Sequence, residues 1–457
     1  MSELAPSSAP ADRPGHLELQ SGARVAVVGG GPAGSFFSYF FLDLAERLGL
    51  DVQLDVFEPK NYAIPGPAGC NMCGGVVSES LVQMLATEGI NLPPTVVARG
   101  IDSYVLHMDV GVARIKTPLQ EMRIAAVYRG AGPRGAQERT WDSFDGFLLD
   151  RAAAKGARVV RERVEAVTWR RDRPQVKTRN GAPQPYDLLV AAVGVNGAAL
   201  KLFEGLGLNY QPPRTSKTYI AEFFLGRETM GKYFGHAMHV FLLNLPRLEF
   251  AALIPKGDYL TFCLLGENID DALVQSFLNA GEVRQCLPPG WQRPETFCHC
   301  SPRISTSGAV QPFSDRVVFI GDCGMARLYK DGIGSAYRTA KAAARAAVFD
   351  GVAREDFRRH FQPVCETIRR DNLVGKLVFA FTRQIQHRRF ARQGMLRMVM
   401  REQQQARGAP RMSMVLWDTF TGSASYGNVF LRTLHPFFWC RLLWDCLRSL
   451  RPVRKTQ

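Results

Sequence analysis

The chain has 457 residues, of which 46% are hydrophobic and 22% are charged, and its formal net charge is +15. This is the composition of an ordinary globular protein, and the length suggests two or three domains. Ten cysteines in so long a chain exclude a disulfide-rich scaffold and, with no signal peptide in the sequence, predict a reducing cytoplasmic compartment.

The first twenty residues are rich in Pro, Ser and Ala and contain no apolar run. A signal peptide and a transmembrane anchor both need such a run, so neither is predicted here. We interpret residues 1–20 as a disordered tail.

A strand–helix–strand unit follows this tail. The apolar run 24–28 predicts a strand that ends in the glycine-rich turn GGGPAG at residues 29–34. Residues 35–48 predict a buried helix, and the alternating run 51–57 predicts a second strand that ends at Glu58. This order predicts a complete βαβ unit.

The residue types in the turn fit a dinucleotide. Gly29 permits the tight turn, Gly31 lets the backbone approach a pyrophosphate, and Gly34 lets the helix pack close to the strand. Ala33 belongs to the same turn, just before the predicted helix, whose N-terminus offers free N–H groups that favour phosphate. Glu58 is spaced to accept hydrogen bonds from ribose hydroxyls. The alternative is a glycine loop with only a structural role.

A second glycine motif lies some 290 residues later in the chain. The buried strand 316–320 ends in Gly321-Asp322, and a helix that starts with Gly332 and Gly334 follows. Asp322 is suited to accept a hydrogen bond from a ribityl hydroxyl, and the positive helix end suits the flavin pyrimidine, where negative charge develops on reduction. The two motifs together favour FAD over NAD. An Asp that only caps a helix is the alternative.

Between the two motifs, residues 103–128 and 216–266 read as antiparallel strands. The sequence therefore predicts an α/β fold in which a Rossmann-like FAD-binding domain carries an inserted antiparallel β-sheet substrate domain and a C-terminal helical segment. The predicted boundaries are 21–100, 135–200 and 300–350 for the FAD-binding domain, 101–134 and 201–299 for the substrate domain, and 351–457 for the basic helical region.

The order of five motifs resembles the geranylgeranyl reductase family, which are flavoproteins built on the p-hydroxybenzoate hydroxylase architecture. The motifs are GGGPAG, the Cys-Gly-Gly of residues 73–75, SFDGFLLDRAAAKGA, IPKGD and RVVFIGDCGMA. The resemblance implies that FAD is held by the residues named above together with Arg129 of VYRG. It also implies the family's reaction, in which hydride from reduced flavin N5 and a proton saturate a C=C bond of a polyprenyl chain.

Two positions depart from the pattern of these relatives. Val193 stands where related hydroxylases carry an acidic residue that helps to position NAD(P)H. The electron donor is therefore open between NAD(P)H and a ferredoxin-like or quinone-linked donor, which would make an electron-donor protein a partner. The aromatic substrate motif is replaced by an apolar stretch, from which Phe250, Ile254 and Pro255 are predicted to line the substrate pocket.

Two loops supply candidates for catalysis. Cys73 lies in the loop that the family places near the flavin, where a thiol would tune the flavin, gate the substrate or donate a proton. The alternatives are a small packed residue, a redox pair with Cys70, or a metal site completed by residues 298–300. No metal is expected, because these further ligands lie over 200 residues away. Tyr329 or Lys330 is a second candidate proton donor, with a solvated loop as the alternative.

The C-terminal residues 383–457 contain fourteen Lys and Arg against three acidic residues. Arg and Asp residues interrupt the apolar stretch 429–447, which therefore makes a poor transmembrane span. Its amphipathic pattern predicts contact with an anionic membrane surface, and the alternative is ordinary packing on the flavoprotein body. Nucleic acid is not expected, because no nucleic-acid motif accompanies the charge. The expected location is cytoplasmic, peripheral on the inner face of the membrane.

The favoured function is an FAD-dependent oxidoreductase that reduces C=C bonds of a hydrophobic isoprenoid or lipid. An FAD-dependent monooxygenase of an apolar or aromatic substrate is the alternative, since both activities use the same fold. A halogenase is disfavoured because only Ile254-Pro255 of its aromatic signature is present. A flavin-bearing scaffold without catalysis is the non-enzymatic alternative.

Overall fold

The computed structural model describes residues 17–71, 73–117, 123–135, 141–404 and 410–450. The strands, in chain order, are β1 Ala23–Val28, β2 Val52–Phe57, β3 Val76–Val77, β4 Val97–Ile101, β5 Ser103–Met108, β6 Gly111–Lys116, β7 Ile124–Val127, β8 Arg158–Val160, β9 Val164–Arg170, β10 Arg173–Thr178, β11 Gln184–Pro185, β12 Leu188–Ala191, β13 Thr215–Lys217, β14 Tyr219–Phe224, β15 Ala237–Phe241, β16 Leu248–Lys256, β17 Tyr259–Gly266, β18 Cys298–Cys300, β19 Arg303–Ser305, β20 Phe313–Ser314 and β21 Val317–Phe319. The α-helices are α1 Pro32–Arg47, α2 Glu79–Thr87, α3 Phe144–Ala154, α4 Arg227–Tyr233, α5 Asp271–Asn279, α6 Gly281–Arg284, α7 Gly332–Phe349, α8 Arg354–His360, α9 Gln362–His387, α10 Arg389–Gln404, α11 Arg411–Thr421, α12 Tyr426–Thr433 and α13 Pro436–Leu450.

A six-stranded sheet in the order β20-β21-β12-β1-β2-β8 forms the centre of the first domain. All its neighbouring strands are parallel except the short edge strand β20. Val25, Ala26 and Val27 are completely buried, as expected for a parallel strand covered on both faces. Helices α1, α3 and α7 cover one face, and the meander β9–β11 covers the other. The predicted Rossmann-like architecture is confirmed.

The pairing register brings the two predicted motifs to one edge of this sheet. Four parallel strands end in a single row, which consists of Val28, Phe57, Ala191 and Phe319. Gly29 and Glu58 directly follow two of these strand ends, and Gly321-Asp322 comes two residues after a third. In open α/β sheets, ligands bind outside the carboxyl ends of the strands, which is where these residues lie.

A seven-stranded sheet in the order β18-β14-β17-β16-β15-β5-β6 forms the second domain. The sequence predicted an antiparallel sheet, but β15 and β5 pair in parallel. These two strands come from separate insertions, so no hairpin turn sets their relative direction. Helices α4–α6 cover one face of this sheet. The other face packs against the C-terminal helices, and we call it the inner face.

The domain boundaries differ in detail from the prediction. The boundary at residue 100 falls inside β4, which pairs with β7, and the boundary at residue 300 falls inside β18. Of the predicted tail, residues 1–16 lie outside the described residues. Leu19 is buried, and the Leu17 carbonyl accepts a hydrogen bond from the Val352 N–H at 2.7 Å. Residues 17–20 are therefore part of the folded body.

The C-terminal helices share a core with the seven-stranded sheet. Phe379, Trp417 and Tyr426 belong to this core. The Trp417 ring meets the Tyr104 ring edge-on at 4.9 Å, and its indole N–H donates to Glu79 Oε1 at 3.1 Å. The inner sides of these helices are therefore covered by ordinary packing. Within the described part of the chain, no helix is long and apolar enough to cross a membrane.

Candidate functional site

The glycine-rich turn between β1 and α1 excludes side chains at two positions. Gly29 has a φ of +105°, and its N–H donates to the Phe57 carbonyl at 2.9 Å. A Cβ at Gly29 would lie 2.5 Å from the Ala192 carbonyl oxygen, and a Cβ at Gly34 would lie 1.9 Å from the Gly29 carbonyl oxygen. These close contacts with backbone atoms therefore require glycine at both predicted positions.

The N-terminus of α1 opens at the same edge. Gly31 is its N-cap, no side chain among the described residues caps it, and its first turn holds no acidic residue. Ala33 lies in this turn beside Gly321, where a Cβ would come within 2.7 Å of the Ala33 Cβ. An uncapped helix end offers free N–H groups and partial positive charge, so it suits a phosphate group.

Glu58 is buried at the end of β2 and connects three segments. Its Oε2 accepts hydrogen bonds from the Gly30 N–H at 2.9 Å and from the Tyr62 hydroxyl at 2.8 Å. Its Oε1 accepts the Lys60 N–H at 2.9 Å. Burial and then the carboxylates of Asp145 and Glu58 raise the pKa of Tyr62, so its hydroxyl remains a donor. The carboxylate is thereby held at the strand edge where a ribose is expected.

Arg129 is fixed by a buried acid that the sequence analysis missed. Its guanidinium donates two hydrogen bonds to Asp145, the one from Nη2 measuring 2.9 Å. Burial opposes the charge of Arg129, but Asp145 outweighs it and raises the pKa. Asn71 donates to the same carboxylate at 2.5 Å and to the Tyr62 hydroxyl at 3.1 Å. The Phe-Asp pair at the start of α3 was the available sequence signal for Asp145.

Asp322 follows β21 and faces the start of α7. Burial raises the pKa of its carboxyl group, and the Arg129 guanidinium opposes this shift. A Cβ at Gly332 would lie 3.6 Å from Asp322 Oδ1. A Cβ at Gly334 would lie 2.0 Å from the Asp331 carboxylate, which would have to move from its place beside Arg338. The structure thus brings Arg129 and Asp322 together with the glycines of α7.

The residues predicted to line the substrate pocket lie on two different faces of the seven-stranded sheet. Phe250 and Ile254 belong to the core on the inner face of the seven-stranded sheet. Ile254 Cδ1 lies 3.5 Å from the position of a Cβ on Gly74, so the Cys-Gly-Gly loop rests on this face. Pro255 pairs with Leu260, whose side chain packs under the opposite face. Because side chains alternate along a strand, Pro255 points away from the pocket and is removed from it.

Cys73 lies where this loop meets the sheet. Its Sγ accepts the Gly75 N–H at 3.4 Å. Gly75 has a φ of +67°, and a Cβ there would lie 2.0 Å from the Val127 carbonyl oxygen and 3.0 Å from Lys256 Nζ. None of the ten cysteines, each within the described residues, forms a disulfide, so Cys70 and Cys73 are not bonded to each other. A catalytic role for Cys73 stays a prediction.

Lys330 lies against the ring of Phe250 on the inner face of the seven-stranded sheet. Its Nζ lies 3.8 Å from the centroid of the Phe250 ring. Burial lowers its pKa to about 8, an effect that the Cys263 thiol opposes. Burial also raises the pKa of Cys263 to about 11, which keeps that thiol protonated at neutral pH. The site therefore holds an ammonium group that is able to give up its proton near neutral pH, against an aromatic wall.

A cavity of about 300 Å³ opens beside the loop that carries this lysine, and most of its lining is polar or basic, namely Arg214, Thr306, Ser307, Lys376 and Arg383. One wall contains Leu328 and Tyr329, which directly precede Lys330, and another contains Lys376 and Phe379 of α9. The C-terminal region therefore forms part of the wall of the candidate site rather than a separate unit.

Arg327 ties the segment before Lys330 to the C-terminal helices. It is 6% exposed, its Nε lies 3.3 Å from the Asp371 carboxylate, and its guanidinium stacks over the Tyr426 ring at 4.3 Å. Asn372 Oδ1 accepts the Leu328 N–H at 2.8 Å. These contacts hold the loop that carries Lys330 in one position.

Replacing Arg327 with methionine is expected to lower the free energy of unfolding by about 3 kcal/mol, because it leaves the Asp371 carboxylate partly buried without its cation. Chemical denaturation measures the loss. Arg358→Met is the matched control, since Arg358 pairs with Glu355 on the exposed surface of α8 and its removal is expected to have no measurable effect. Equal losses in the two variants would contradict this role for Arg327.

Away from this site, His107, His239 and Cys286 form a buried group, the sole set in the described residues whose ligand atoms are close enough to share a metal ion. His107 Nε2 lies 3.0 Å from His239 Nδ1 and 3.5 Å from Cys286 Sγ. Burial lowers the pKa of His107 to about 4 and that of His239 to about 3. The three groups satisfy one another by hydrogen bonding. Cys70 and Cys73 belong to no such group of potential metal ligands among the described residues.

No protein-family model matches the chain, and no curated protein matches its sequence. Solved structures match its fold. A flavoprotein/dehydrogenase from Cytophaga hutchinsonii is 14% identical with a TM-score of 0.61, and the match covers 94% of this chain and 100% of the other. The flavin-dependent brominase Bmp2 is 14% identical, with 87% and 98% coverage and a TM-score of 0.56. PqsL from Pseudomonas aeruginosa, a probable FAD-dependent monooxygenase, is 14% identical, with 78% and 95% coverage and a TM-score of 0.53. The chain therefore has the fold of these flavoproteins.

Proposed function

We propose that the chain binds FAD at the carboxyl edge of the six-stranded sheet and is an FAD-dependent oxidoreductase. The residues fit this cofactor, because Gly31 and Ala33 leave the start of α1 open for a pyrophosphate and Glu58 presents a carboxylate for ribose hydroxyls. Arg129 and Asp322 would hold the ribityl and flavin end beside the start of α7. We call Gly29, Gly31 and Gly34 the glycine cradle. The observation that supports FAD is that this cradle and the N-termini of α1 and α7 lie at one edge of the sheet.

We further propose that the enzyme reduces C=C bonds of a hydrophobic isoprenoid or lipid, as geranylgeranyl reductases do. Reduced FAD, when bound, supplies the hydride. The protein must then deliver a proton to the second carbon, and the Lys330 ammonium is the group placed to do so. Phe250 and Ile254 provide an apolar wall that would orient the hydrocarbon substrate and exclude water from it. A partly desolvated proton donor against an apolar wall is the observation that carries this proposal.

A monooxygenase acting on an apolar or aromatic substrate is the second candidate. It is favoured by the match to PqsL, whose description is that of a probable FAD-dependent monooxygenase. The same apolar wall would hold its substrate. The two candidates differ in whether oxygen is consumed and whether the product gains an oxygen atom or two hydrogens.

The electron donor is proposed to be NAD(P)H or a ferredoxin-like protein. Val193 follows β12 at the sheet edge and brings no charge to it. Mixing the oxidised flavoprotein with NADPH, NADH or reduced ferredoxin under nitrogen and following flavin bleaching separates these donors.

The proposed reaction is tested without oxygen. The purified chain with its flavin is reduced with dithionite and mixed with a host lipid extract, and mass spectrometry then searches for species that gain pairs of hydrogens. Such a species, together with rapid flavin reoxidation, is expected. A product that gains oxygen, and forms only in air, would establish the monooxygenase instead. A protein purified and reconstituted without any bound flavin would reject both.

A further inference from the structure

The last helix of the described chain is apolar on two opposite sides. Phe438, Leu442 and Cys446 of α13 are buried, and α13 packs against α10. The fold leaves four other large side chains of the same helix in solvent, namely Phe437, Leu443, Trp444 and Leu447, which are 54–67% exposed. Packing inside this chain explains the first side of α13 and leaves the second without a partner.

Two neighbouring helices extend this exposed side. Leu373, Leu377 and Phe381 recur at helical spacing along α9, and each is exposed. The Phe381 ring contacts the Trp439 ring of α13 at 5.2 Å, so α9 and α13 adjoin. Helix α12 contributes a third set that consists of Phe430, Leu431 and Leu434. We call the exposed apolar residues of α9, α12 and α13 the outer apolar surface.

Positive charges predominate around this surface, since α9 carries Arg369, Arg370, Lys376 and Arg383 against Glu366 and Asp371. Among residues 410–450, the acids are Asp418 and Asp445, and both are buried and paired with arginines. Arg441 and Arg448 are exposed on α13, and the Arg448 guanidinium lies over the Trp444 ring at 4.9 Å. An apolar helix side flanked by arginines matches the boundary between lipid headgroups and acyl chains. It matches a second copy of itself poorly, because the arginines would then face one another.

We propose that the outer apolar surface docks on the surface of an anionic lipid membrane. The apolar side chains of α9, α12 and α13 enter the acyl boundary, and Arg441 and Arg448 contact lipid phosphates. Contiguous exposed apolar patches are uncommon on soluble monomers and mark such binding surfaces.

The proposed docking surface shares a helix with the cavity. Lys376 and Phe379 line the cavity, and Leu373 and Leu377 on the same helix belong to the outer apolar surface. Helix α9 would thus connect the membrane surface with the cavity beside the loop that carries Lys330, where the proposed enzyme would receive its substrate. This consequence rests on the proposed function, whereas the docking itself does not.

Vesicle co-sedimentation tests the proposal with the full chain. Vesicles of phosphatidylcholine and phosphatidylglycerol in equal parts are compared with phosphatidylcholine alone. The test variant combines Leu443→Gln, Trp444→Gln and Leu447→Gln. The control variant combines Leu48→Gln, Val310→Gln and Phe349→Gln, three side chains that are 54–55% exposed on other elements. Thermal unfolding of both variants is measured to show that each is folded.

The native chain is expected to bind the anionic vesicles. The test variant is expected to bind at least about tenfold more weakly, because it loses three apolar side chains that are proposed to enter the lipid. The control variant is expected to bind as the native chain does, and Arg441→Gln with Arg448→Gln to reduce the preference for anionic lipid. Three results would each overturn the proposal. The native chain does not bind anionic vesicles, the two triple variants lose the same amount of vesicle binding, or the native chain is a dimer in solution that only the test-variant substitutions dissociate. The assay does not depend on bound flavin, so it is independent of the proposed function.

Discussion

Replacing Gly34 with alanine is expected to weaken FAD binding roughly a hundredfold. The added Cβ would lie 1.9 Å from the Gly29 carbonyl oxygen and 3.1 Å from Val27 Cγ1. The first of these atoms belongs to the backbone and has no rotamer by which to move aside, so α1 must shift away from β1. Overpacking of this kind costs about 3 kcal/mol, which corresponds to a roughly hundredfold weaker cofactor affinity if the cost falls on the bound geometry.

Gly231→Ala is the matched control, because Gly231 also lies in a helix but an added Cβ there meets nothing within 4 Å. Flavin content after purification and FAD titration of the apoprotein give the affinities of the native chain and both variants. The control is expected to retain the native affinity. Native flavin content in Gly34→Ala would show that the cofactor does not depend on the close contact of β1 and α1.

Replacing Lys330 with methionine is expected to slow substrate reduction by about 10²- to 10⁴-fold, the usual contribution of a positioned general acid. Methionine keeps the length and apolar stem of the side chain but carries no proton to donate. FAD binding and flavin reduction by the electron donor are expected to be unchanged, since Lys330 is not among the residues proposed to hold the cofactor. Stopped-flow flavin reoxidation under nitrogen separates these steps.

The pH dependence gives a second signature of the same lysine. Its donor form is the ammonium, and its pKa is lowered to about 8 by burial. The native rate is therefore expected to be constant below about pH 8 and to fall as the pH rises further, whereas the methionine variant should show no such step. Lys232→Met, on the exposed surface of α4, is the control and should keep both the rate and the step. If the Lys330→Met variant keeps the fall in rate above about pH 8, the titrating group is not Lys330.

Local sequence was sufficient for most of the proposed dinucleotide site. The residues from Gly29 to Glu58 form one βαβ unit, and the contacts of Gly34 with Gly29 and of Gly30 with Glu58 lie within 30 positions along the chain, whereas Gly29 also meets the backbone of the distant Ala192. A glycine that must have a positive φ or a close backbone contact leaves a direct mark in the sequence, because no other residue fits there. This is why the turn, the strand pair and the acid were all located before the structure was known.

The substrate side was harder to predict because it is built by contacts between distant segments. Phe250 and Pro255 were grouped together by apolar character, but only the strand register shows that they point to opposite faces. The acid that fixes Arg129 lies 16 residues away in α3, across a loop whose length predicts no contact. A composition rule cannot distinguish these cases, since side-chain direction follows from pairing.

In the C-terminal region, too, some features were predictable from sequence and others depend on the tertiary structure. Its charge excess and its interrupted apolar pattern were evident from sequence and argued against a transmembrane helix. The sequence left open whether its apolar residues pack inside or face lipid. In the structure some of them pack inside and others are exposed: Leu442 is buried, and Leu443 next to it is exposed. The sequence by itself determined the βαβ unit, the glycine cradle and the basic C-terminus, because each depends on neighbouring residues. The tertiary structure alone decided which residues wall the pocket with Lys330 and which helix side stays open, because these depend on how separate elements pack.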